Sequence, residues 1–313
     1  MQRAAVAALV CIPLLGAAAC GDDEGADARP AVVVTTPMLG SVVQDLVRDQ
    51  ADVEVLMPNG VDPHDYQPSA KDVEAIAKAD LVIENGLDLE EGLEDALGSA
   101  RDDGIPFVTA TDHVALRAVS EEEEHREGEE EEEEEEHHSG EDPHIWMDPL
   151  AMRDVALALA AVLESDLGLD VSARADELGD HLDALDAEVR ETLAAIPRDR
   201  RALVTGHESM GYFADRYGFE IVGAIIPSLS SQAQVSAASL STLRDQVRAA
   251  RVPAIFNEIG TPDGVAEAIA DETGARVVEI ATHTLPEDGS YPTFIREAAA
   301  AVADGLGEPA ARS

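Results

Sequence analysis

Four histidines of this chain have the residue type and the placement to bind a metal ion together. They are His64, His144, His207 and His283, and each lies in a short segment at the edge of a predicted strand–helix unit. Three of them follow apolar, strand-like runs, at residues 53–57, 202–205 and 276–282. Loops at the carboxyl ends of strands are where α/β sheets bind ligands, so these histidines can meet. Neutral imidazole suits zinc and similar metals, and the convergence of four such loops predicts a zinc site.

The elements that would position these loops alternate between strand and helix patterns. Strands are predicted at 31–35, 53–57, 81–84, 107–109, 202–205, 220–226, 254–257 and 276–282. Helices are predicted at 38–48, 70–78, 149–167, 172–196, 209–217, 236–250, 261–273 and 291–306, with Thr261 as an N-cap before Pro262. This alternation predicts an α/β fold with mostly parallel sheets covered by helices on both faces.

One predicted helix is long enough to separate the chain into two halves. Residues 172–196 carry regularly spaced leucines, and Pro197 ends the pattern. About 25 helical residues span on the order of 35 Å, so a stiff connection is expected rather than a flexible hinge. We therefore predict an N-terminal α/β domain at 31–171, a linker helix at 172–197 and a C-terminal α/β domain at 198–313.

The first thirty residues predict where the protein works. Arg3 precedes an apolar stretch at 4–16, and small residues then lead to Cys20. This stretch is too short to span a bilayer as a mature helix, which favours an export signal over a single transmembrane anchor. We predict a lipoprotein signal peptide at 1–19, lipidation of Cys20 and a polar tether at 20–30. The domain would then be held at the outer face of the cytoplasmic membrane.

The net charge of −44 limits the partners that the chain can have. Residues 121–136 contribute 13 Glu and one Arg, or −12, which leaves −32 for the rest of the chain. Dense like charge does not pack into a core, so a disordered acidic loop is expected at about 119–141. Nucleic acid is an unfavourable partner, because binding it requires that phosphate charge be neutralised.

Three sequence words make the chain resemble a known family. They read MPNGVDPHDYQPS at 57–69, DPHIWMDP at 142–149 and HESMGYFADRYG at 207–218. With these words the chain resembles the metal-binding lipoproteins of zinc and manganese ABC importers, the ZnuA/TroA-like solute-binding family, over essentially its whole mature length. The resemblance implies two α/β domains joined by a long helix, with the metal in the cleft between them. It also implies a monomer that delivers its ion to a permease, with His64 and His144 on the N-terminal domain and His207 on the C-terminal one.

The fourth ligand departs from that family's pattern. Many members carry an aspartate in the loop after the last strand, whereas this chain has a His-Thr-Leu word that begins at His283. We infer that His283 replaces the carboxylate. Glu258, Asp288 or a water molecule are the alternatives for this position.

The ligand types favour zinc over manganese. Three or four imidazoles satisfy tetrahedral zinc, whereas manganese prefers more oxygen ligands. Manganese-binding relatives typically carry a carboxylate at the position of His207. Nearby carboxylates are expected to accept hydrogen bonds from the ring N–H groups; the candidates are Asp65, Asp148 and Glu258. Zinc-binding relatives often have a histidine-rich loop where this chain has its acidic segment, so His125, His137 and His138 form either a weak accessory metal site or a solvated loop.

Two other classes of protein are alternatives to a receptor. His207 and Glu208 resemble the start of the His-Glu-x-x-His motif of zinc hydrolases, but Gly211 stands where the second histidine is required. A catalytic zinc also keeps one coordination position open, which four histidines would close. A surface adhesin is the remaining alternative, and no sequence feature favours it. The expectation is therefore a zinc receptor and not an enzyme, with a manganese receptor of the same family as the alternative.

Overall fold

The structure is a computed structural model, and it describes residues 29–119, 140–262 and 264–307. Several sequence predictions lie outside the described residues. These are the signal peptide at 1–19, Cys20, most of the tether at 20–30, and nearly all of the acidic segment with His125, His137 and His138.

The N-terminal half is built on one parallel sheet of four strands. The strands are β1 (Ala31–Val34), β2 (Asp52–Val55), β3 (Leu81–Glu84) and β4 (Phe107–Thr109), in the order β2-β1-β3-β4. Its helices are α1 (Pro37–Val47), α2 (Ala70–Ala77), α3 (Glu94–Asp102) and α4 (Pro149–Leu167). The central strands are apolar and buried, as expected of a parallel sheet with both faces covered.

The C-terminal half contains two further parallel strand pairs. Strand β5 (Ala202–Thr205) pairs with β6 (Glu220–Ala224), and β7 (Ala254–Asn257) pairs with β8 (Arg276–Glu279). Strand β7 also lies beside β5. The helices of this half are α6 (Gly211–Tyr217), α7 (Ala237–Ala250), α8 (Val265–Thr273) and α9 (Tyr291–Leu306). The predicted α/β fold with mostly parallel sheets is confirmed.

Helix α5 (Ser172–Leu193) connects the two halves and is part of their shared core. It packs against α4 and α9, and its buried apolar side chains are Ala175, Leu178, Leu182, Leu185, Val189 and Leu193. One continuous hydrophobic cluster joins these residues to Leu46 in the N-terminal half and to Phe294 in the C-terminal half. The helix therefore stabilises the two halves against each other. It ends three residues before the predicted end, and Ile196 is buried in the turn that follows.

Several predicted element boundaries are corrected by the structure. Helix α8 begins at Val265, after Gly264 adopts a left-handed conformation with φ 72°, so the assignment of Thr261 as its N-cap is wrong. Helix α3, whose sequence is strongly polar, had no predicted counterpart. Strands β2 and β8 end two and three residues earlier than predicted, and the residues so released lengthen the loops that carry His64 and His283. In the part of the chain that the structure describes, no helix combines the length and apolarity needed to cross a membrane.

Because α5 is part of the shared core, a cavity in this helix should strongly destabilise the protein. Leu182 is completely buried, and we expect Leu182→Ala to lower the free energy of unfolding by about 2–5 kcal/mol, from lost burial and the cavity left behind. Leu157→Ala is the matched control, because Leu157 is 42% exposed and should lose far less. Denaturant unfolding of both variants checks this, and equal losses would mean that α5 is not part of a common core.

Candidate metal centre

The structure brings the four predicted histidines together at one point between the two halves. His64, His144, His207 and His283 are all buried, with exposed fractions of 5%, 0%, 1% and 2%. The Nε2 atom of His144 lies 3.4 Å from Nε2 of His64 and 3.3 Å from Nε2 of His207. One nitrogen from each of the four rings lies within 4.8 Å of the others.

These distances suit a small tetrahedral ion. Zinc–nitrogen bonds of about 2.0–2.1 Å place the nitrogens of a tetrahedral shell about 3.4 Å apart. The Nε2 atom of His283 is buried without a hydrogen-bond partner, so this lone pair is available to a cation. Neutral imidazoles with converging lone pairs form a site that a borderline metal cation can occupy.

His64 is held by the loop between β2 and α2. Its backbone N–H donates to the Asp62 carboxylate at 3.1 Å. Farther along the same loop, the Tyr66 hydroxyl donates to the Leu56 carbonyl, which fixes the loop against the end of β2. The Nδ1 atom of His64 has no hydrogen-bond partner, and the nearest carboxylate oxygen, Oε1 of Glu91, is 3.9 Å away.

His144 is held by a second loop of the same half. Asp142 accepts the backbone N–H of His144 at 2.9 Å and its ring Nδ1–H at 2.7 Å. The Asn85 amide, at the end of β3, donates to the Pro143 carbonyl at 2.9 Å and anchors this loop to the sheet. With Nδ1 protonated and bonded to Asp142, Nε2 is the free acceptor that points toward the other histidines.

His207 follows β5 in the C-terminal half. Its backbone N–H donates to Oε1 of Glu258 at 2.8 Å, and its ring Nδ1 lies 3.1 Å from the same oxygen. Gly206 makes this close approach possible, since a Cβ atom at that position would lie 2.6 Å from Glu258 Cγ and 2.2 Å from Thr261 Oγ1. Glu258 thereby fixes both the backbone and the ring of His207.

His283 follows β8 and depends on Thr282. Its Nδ1 lies 2.9 Å from the Thr282 hydroxyl, which in turn donates to the second oxygen of Glu258. The Thr282 carbonyl accepts the indole N–H of Trp146 at 2.7 Å, a contact between the two halves. The Trp146 ring lies 5.2 Å from His144 and 5.5 Å from His283, measured between ring centroids.

Burial and mutual repulsion keep three of the rings neutral. Burial, followed by the neighbouring His144 and His207, lowers the pKa of His64 to about 2. Burial is also the main cause that lowers the pKa of His144 and of His283 well below 6.5. The three rings therefore present lone pairs rather than protons over the physiological pH range.

His207 is the exception, because its partner is an ionised carboxylate. Burial alone would lower the pKa of His207, but the attraction of Glu258 outweighs it and raises the pKa above 6.5. In return His207 and its hydrogen bond oppose the effect of burial on Glu258 and lower the pKa of that carboxyl to about 2. A proton on His207 therefore competes with a metal ion for this ring.

Three of the carboxylates named from the sequence have other surroundings in the structure. Asp65 and Asp148 were expected to support the rings, and Asp288 was an alternative fourth ligand. Among the described residues, no hydrogen bond or ion pair joins any of the three to a histidine ring. Asp148 instead caps α4 and pairs with Arg216, Asp288 accepts the backbone N–H of Ser290, and Asp65 is exposed. Only Glu258 lies where a supporting carboxylate was expected.

The sequence reading missed three supporting residues, which are Asp62, Asp142 and Thr282. Two of them had a recognisable signal, because the word Asp-Pro-His occurs at 62–64 and again at 142–144. In both places the aspartate accepts the backbone N–H of the histidine two residues later. Aspartate favours this kind of turn, so the repeated word could have identified both residues.

Comparison with known proteins identifies the family of the chain. The family model described as "Zinc-uptake complex component A periplasmic" matches residues 32–305. The chain belongs to this family. Its members supply the metal-binding, substrate-binding component of ABC transporters.

Relatives of known name within this family differ in their metal. The chain is 33% identical over 267 residues to the zinc-binding protein TroA of Treponema pallidum, covering 82% of this chain and 80% of that protein. It is 33% identical over 269 residues to the high-affinity zinc uptake protein ZnuA of Bacillus subtilis, covering 83% and 82%. It is 25% identical over 312 residues to the manganese lipoprotein PsaA of Streptococcus mitis, covering 94% and 95%.

The fold comparison gives the same result. The solved structure of the periplasmic zinc-binding protein TroA from Treponema pallidum superposes with a TM-score of 0.76 at 26% identity, covering 90% of this chain and all of that one. The resemblance inferred from the sequence words is confirmed, and the relatives together leave the metal to be argued from the residues of this chain.

The carboxylate of Glu258 determines which histidine takes up a proton first as the pH falls. In the metal-free protein at pH 6 we expect His207 to carry a proton while His64, His144 and His283 remain neutral, because only the pKa of His207 is raised. Histidine-selective ¹⁵N NMR over pH 4–8 measures this.

Glu258→Gln removes the charge that raises the pKa of His207, so the titration of His207 should then move below pH 6.5. Asp65→Asn, at an exposed carboxylate, serves as the control and should leave the titration unchanged. If His207 titrated in the same range in all three proteins, the attraction of Glu258 would not be the cause.

Proposed function

We propose that the protein is an extracytoplasmic zinc receptor that captures Zn²⁺ and delivers it to the permease of an ABC importer. The observation that supports this most strongly is the buried cluster of four imidazoles. His64, His144, His207 and His283 are the proposed ligands. The last three would bind through the nitrogen that is not bonded to a supporting partner, and His64 through Nε2, which lies 3.4 Å from Nε2 of His144.

The donor set favours zinc over manganese. Four nitrogen donors lie within 4.8 Å of one another, and two of the distances between them, 3.3 and 3.4 Å, match the edge of a small tetrahedral shell. Manganese prefers oxygen donors, and the carboxylates nearest to the rings act on their outer nitrogens instead of facing the cluster. Some relatives are named as manganese-binding proteins, so a manganese receptor is the alternative that the experiment below must exclude.

Buried negative charge near the rings would offset the charge of the ion. Asp142 and Glu258 are bonded to histidine rings, and Asp62 is bonded to the backbone of His64. All three carboxylates are buried, and buried charges of one sign are stable only with partners. A divalent cation among the rings supplies such a partner, which favours tight capture.

Hydrogen bonds between the two halves close the outer side of the cluster. Asn59 exchanges two hydrogen bonds with the backbone of Leu285, at 2.7 and 2.8 Å. Ser231 donates to Asp62 at 2.6 Å. Ser230 donates to Glu91 at 3.1 Å. We call these contacts the mouth bonds. We propose that they open when the ion enters or leaves.

The remaining functional assignments follow from the sequence. Domains at 31–171 and 198–313 would form the two walls of the site, with the helix within 172–197 between them. Lipidation at Cys20 would anchor the protein, as a monomer, to the outer face of the membrane. Four imidazoles would complete the zinc shell and leave no position for a reacting water, so we propose that the protein is not an enzyme.

Substitution of the proposed ligands tests the function directly. We expect one tight Zn²⁺ per chain, little competition from Mn²⁺, and a loss of zinc affinity of at least 100-fold in His207→Ala and in His283→Ala. His181→Ala is the matched control, because His181 is exposed on α5. Competition with a chromogenic zinc chelator measures the affinities.

Each departure from this result has a distinct meaning. Stronger binding of Mn²⁺ than of Zn²⁺ would make the protein a manganese receptor. Tight zinc binding that is unaffected by His283→Ala would mean that the fourth ligand is water or a carboxylate. Equal effects of His207→Ala and His181→Ala would refute the proposed site.

If the mouth bonds retain the ion, removal of one of them should increase the rate of zinc release. Ser231→Ala removes the hydrogen bond to Asp62 and leaves all four ligands in place, so we expect zinc to dissociate several-fold faster. Ser99→Ala, on the exposed surface of α3, is the control and should not change the rate. Stopped-flow transfer of zinc to an excess of chelator measures dissociation, and an unchanged rate in Ser231→Ala would show that this contact does not retain the ion.

A further inference from the structure

We propose that Thr282 and Glu258 form a relay that selects zinc, because it supplies one negative charge to two histidines and keeps the carboxylate oxygens out of the metal shell. This inference rests on the proposed function and goes beyond it. It assigns Thr282 as a positioning residue. It also explains how the chain replaces the negative charge of the aspartate that many family members carry at the position of His283.

The relay is a continuous chain of buried hydrogen bonds. Glu258 is buried, and its Oε1 lies 3.1 Å from His207 Nδ1. Its Oε2 accepts the hydroxyls of Ser209, at 2.8 Å, and of Thr282. The hydroxyl of Thr282, whose side chain is fully buried, lies 2.9 Å from Nδ1 of His283.

The direction of these bonds fixes the tautomer of His283. A hydroxyl has one proton, and Thr282 donates it to the carboxylate of Glu258, which as an ionised group can only accept. The same hydroxyl can then only accept from His283, so the proton of the ring is on Nδ1 and the lone pair is on Nε2. That lone pair is the buried nitrogen without a hydrogen-bond partner.

The backbone around Thr282 holds the relay in place from the other half of the protein. The indole N–H of Trp146 donates to the Thr282 carbonyl at 2.7 Å. Tyr291 in turn donates its hydroxyl to the Trp146 carbonyl at 2.8 Å. Both side chains are buried, so the position of Thr282 is set by contacts on both sides of the cleft.

The relay separates two effects that a carboxylate ligand would combine. A coordinating aspartate gives the metal a negative charge and also an oxygen donor, and oxygen donors favour manganese. Glu258 acts on His207 directly and on His283 through the hydroxyl of Thr282. Its negative charge increases the basicity of both rings without adding an oxygen to the metal shell. Zinc, which accepts four imidazoles, therefore retains its affinity while manganese loses a preferred donor.

A double-mutant cycle between Thr282 and His283 tests the relay. Thr282→Val removes the hydroxyl at nearly constant volume and should weaken zinc binding about 10- to 100-fold. Thr282→Ser keeps the hydroxyl and should remain within about threefold of the natural chain. In a His283→Asp background the Nδ1–H no longer exists, so Thr282→Val should there cost about threefold or less.

Metal preference provides a readout that loss of packing would not change. His283→Asp places an oxygen donor in the shell and should raise the affinity for Mn²⁺ relative to Zn²⁺ by at least 10-fold, measured by direct competition. Thermal unfolding of each metal-free variant verifies that it folds.

The outcomes separate this inference from the proposed function. If Thr282→Val weakens zinc equally in both backgrounds, or if Thr282→Ser is no better than Thr282→Val, the hydroxyl does not act through His283 and the relay is refuted. An unchanged metal preference in His283→Asp would refute the selection argument. Absence of tight zinc binding in the natural chain would refute the proposed function itself, whatever the variants do.

Discussion

Four imidazole rings can each bring one nitrogen to within 4.8 Å of the others only while most of the rings are neutral, and this constraint governs the rest of the structure. Burial is the main cause that keeps His64, His144 and His283 unprotonated, and repulsion from neighbouring rings adds to it. A buried ring nevertheless needs a partner for its N–H group, because an unpaired polar group is costly to bury. For His144, His207 and His283 the chain meets both requirements by placing a partner beside the outer ring nitrogen, which leaves the inner lone pair free. Asp142, Glu258 and Thr282 are these partners.

The two halves of the molecule are joined in different ways at different depths. Around α5 they share one apolar cluster, and separating them there would expose buried leucines at a cost of about 25 cal/mol for each Å². Nearer the site, Trp146 and Tyr291 connect the halves through buried hydrogen bonds. At the mouth the halves are joined by the mouth bonds, and a single hydrogen bond contributes about 0.5–1.5 kcal/mol because water can replace it. Opening at the mouth is therefore much less costly than separation of the halves at the core.

The sequence was sufficient to find the four histidines, since three of them follow strand-like runs and His144 lies in one of the words that carry the family resemblance. The alternation of strands and helices was likewise sufficient for the α/β fold. The supporting partners were harder to predict, because residue type alone does not show which polar side chain turns toward a ring. Asp62, Asp142 and Thr282 were missed although each lies within two residues of its histidine. Glu258 was among the expected carboxylates, and the fold brings it to His207 from 51 residues away in sequence. Asp148 lies close to His144 in sequence, but it caps α4 instead.

The position of the negative charge decides what kind of ion such a site retains and how it lets the ion go. A carboxylate that coordinates the metal must break its own bond to the ion on release. Glu258 has its oxygens occupied by His207, Ser209 and Thr282, and it can keep these partners when the metal leaves. A proton on His207 then replaces one of the two charges of the ion and gives Glu258 a cationic partner, since Glu258 raises the pKa of that ring. Exchange of the ion for a proton at His207 therefore lets the site empty without leaving Glu258 unpaired, which is what a receptor that must both capture and release its cargo requires.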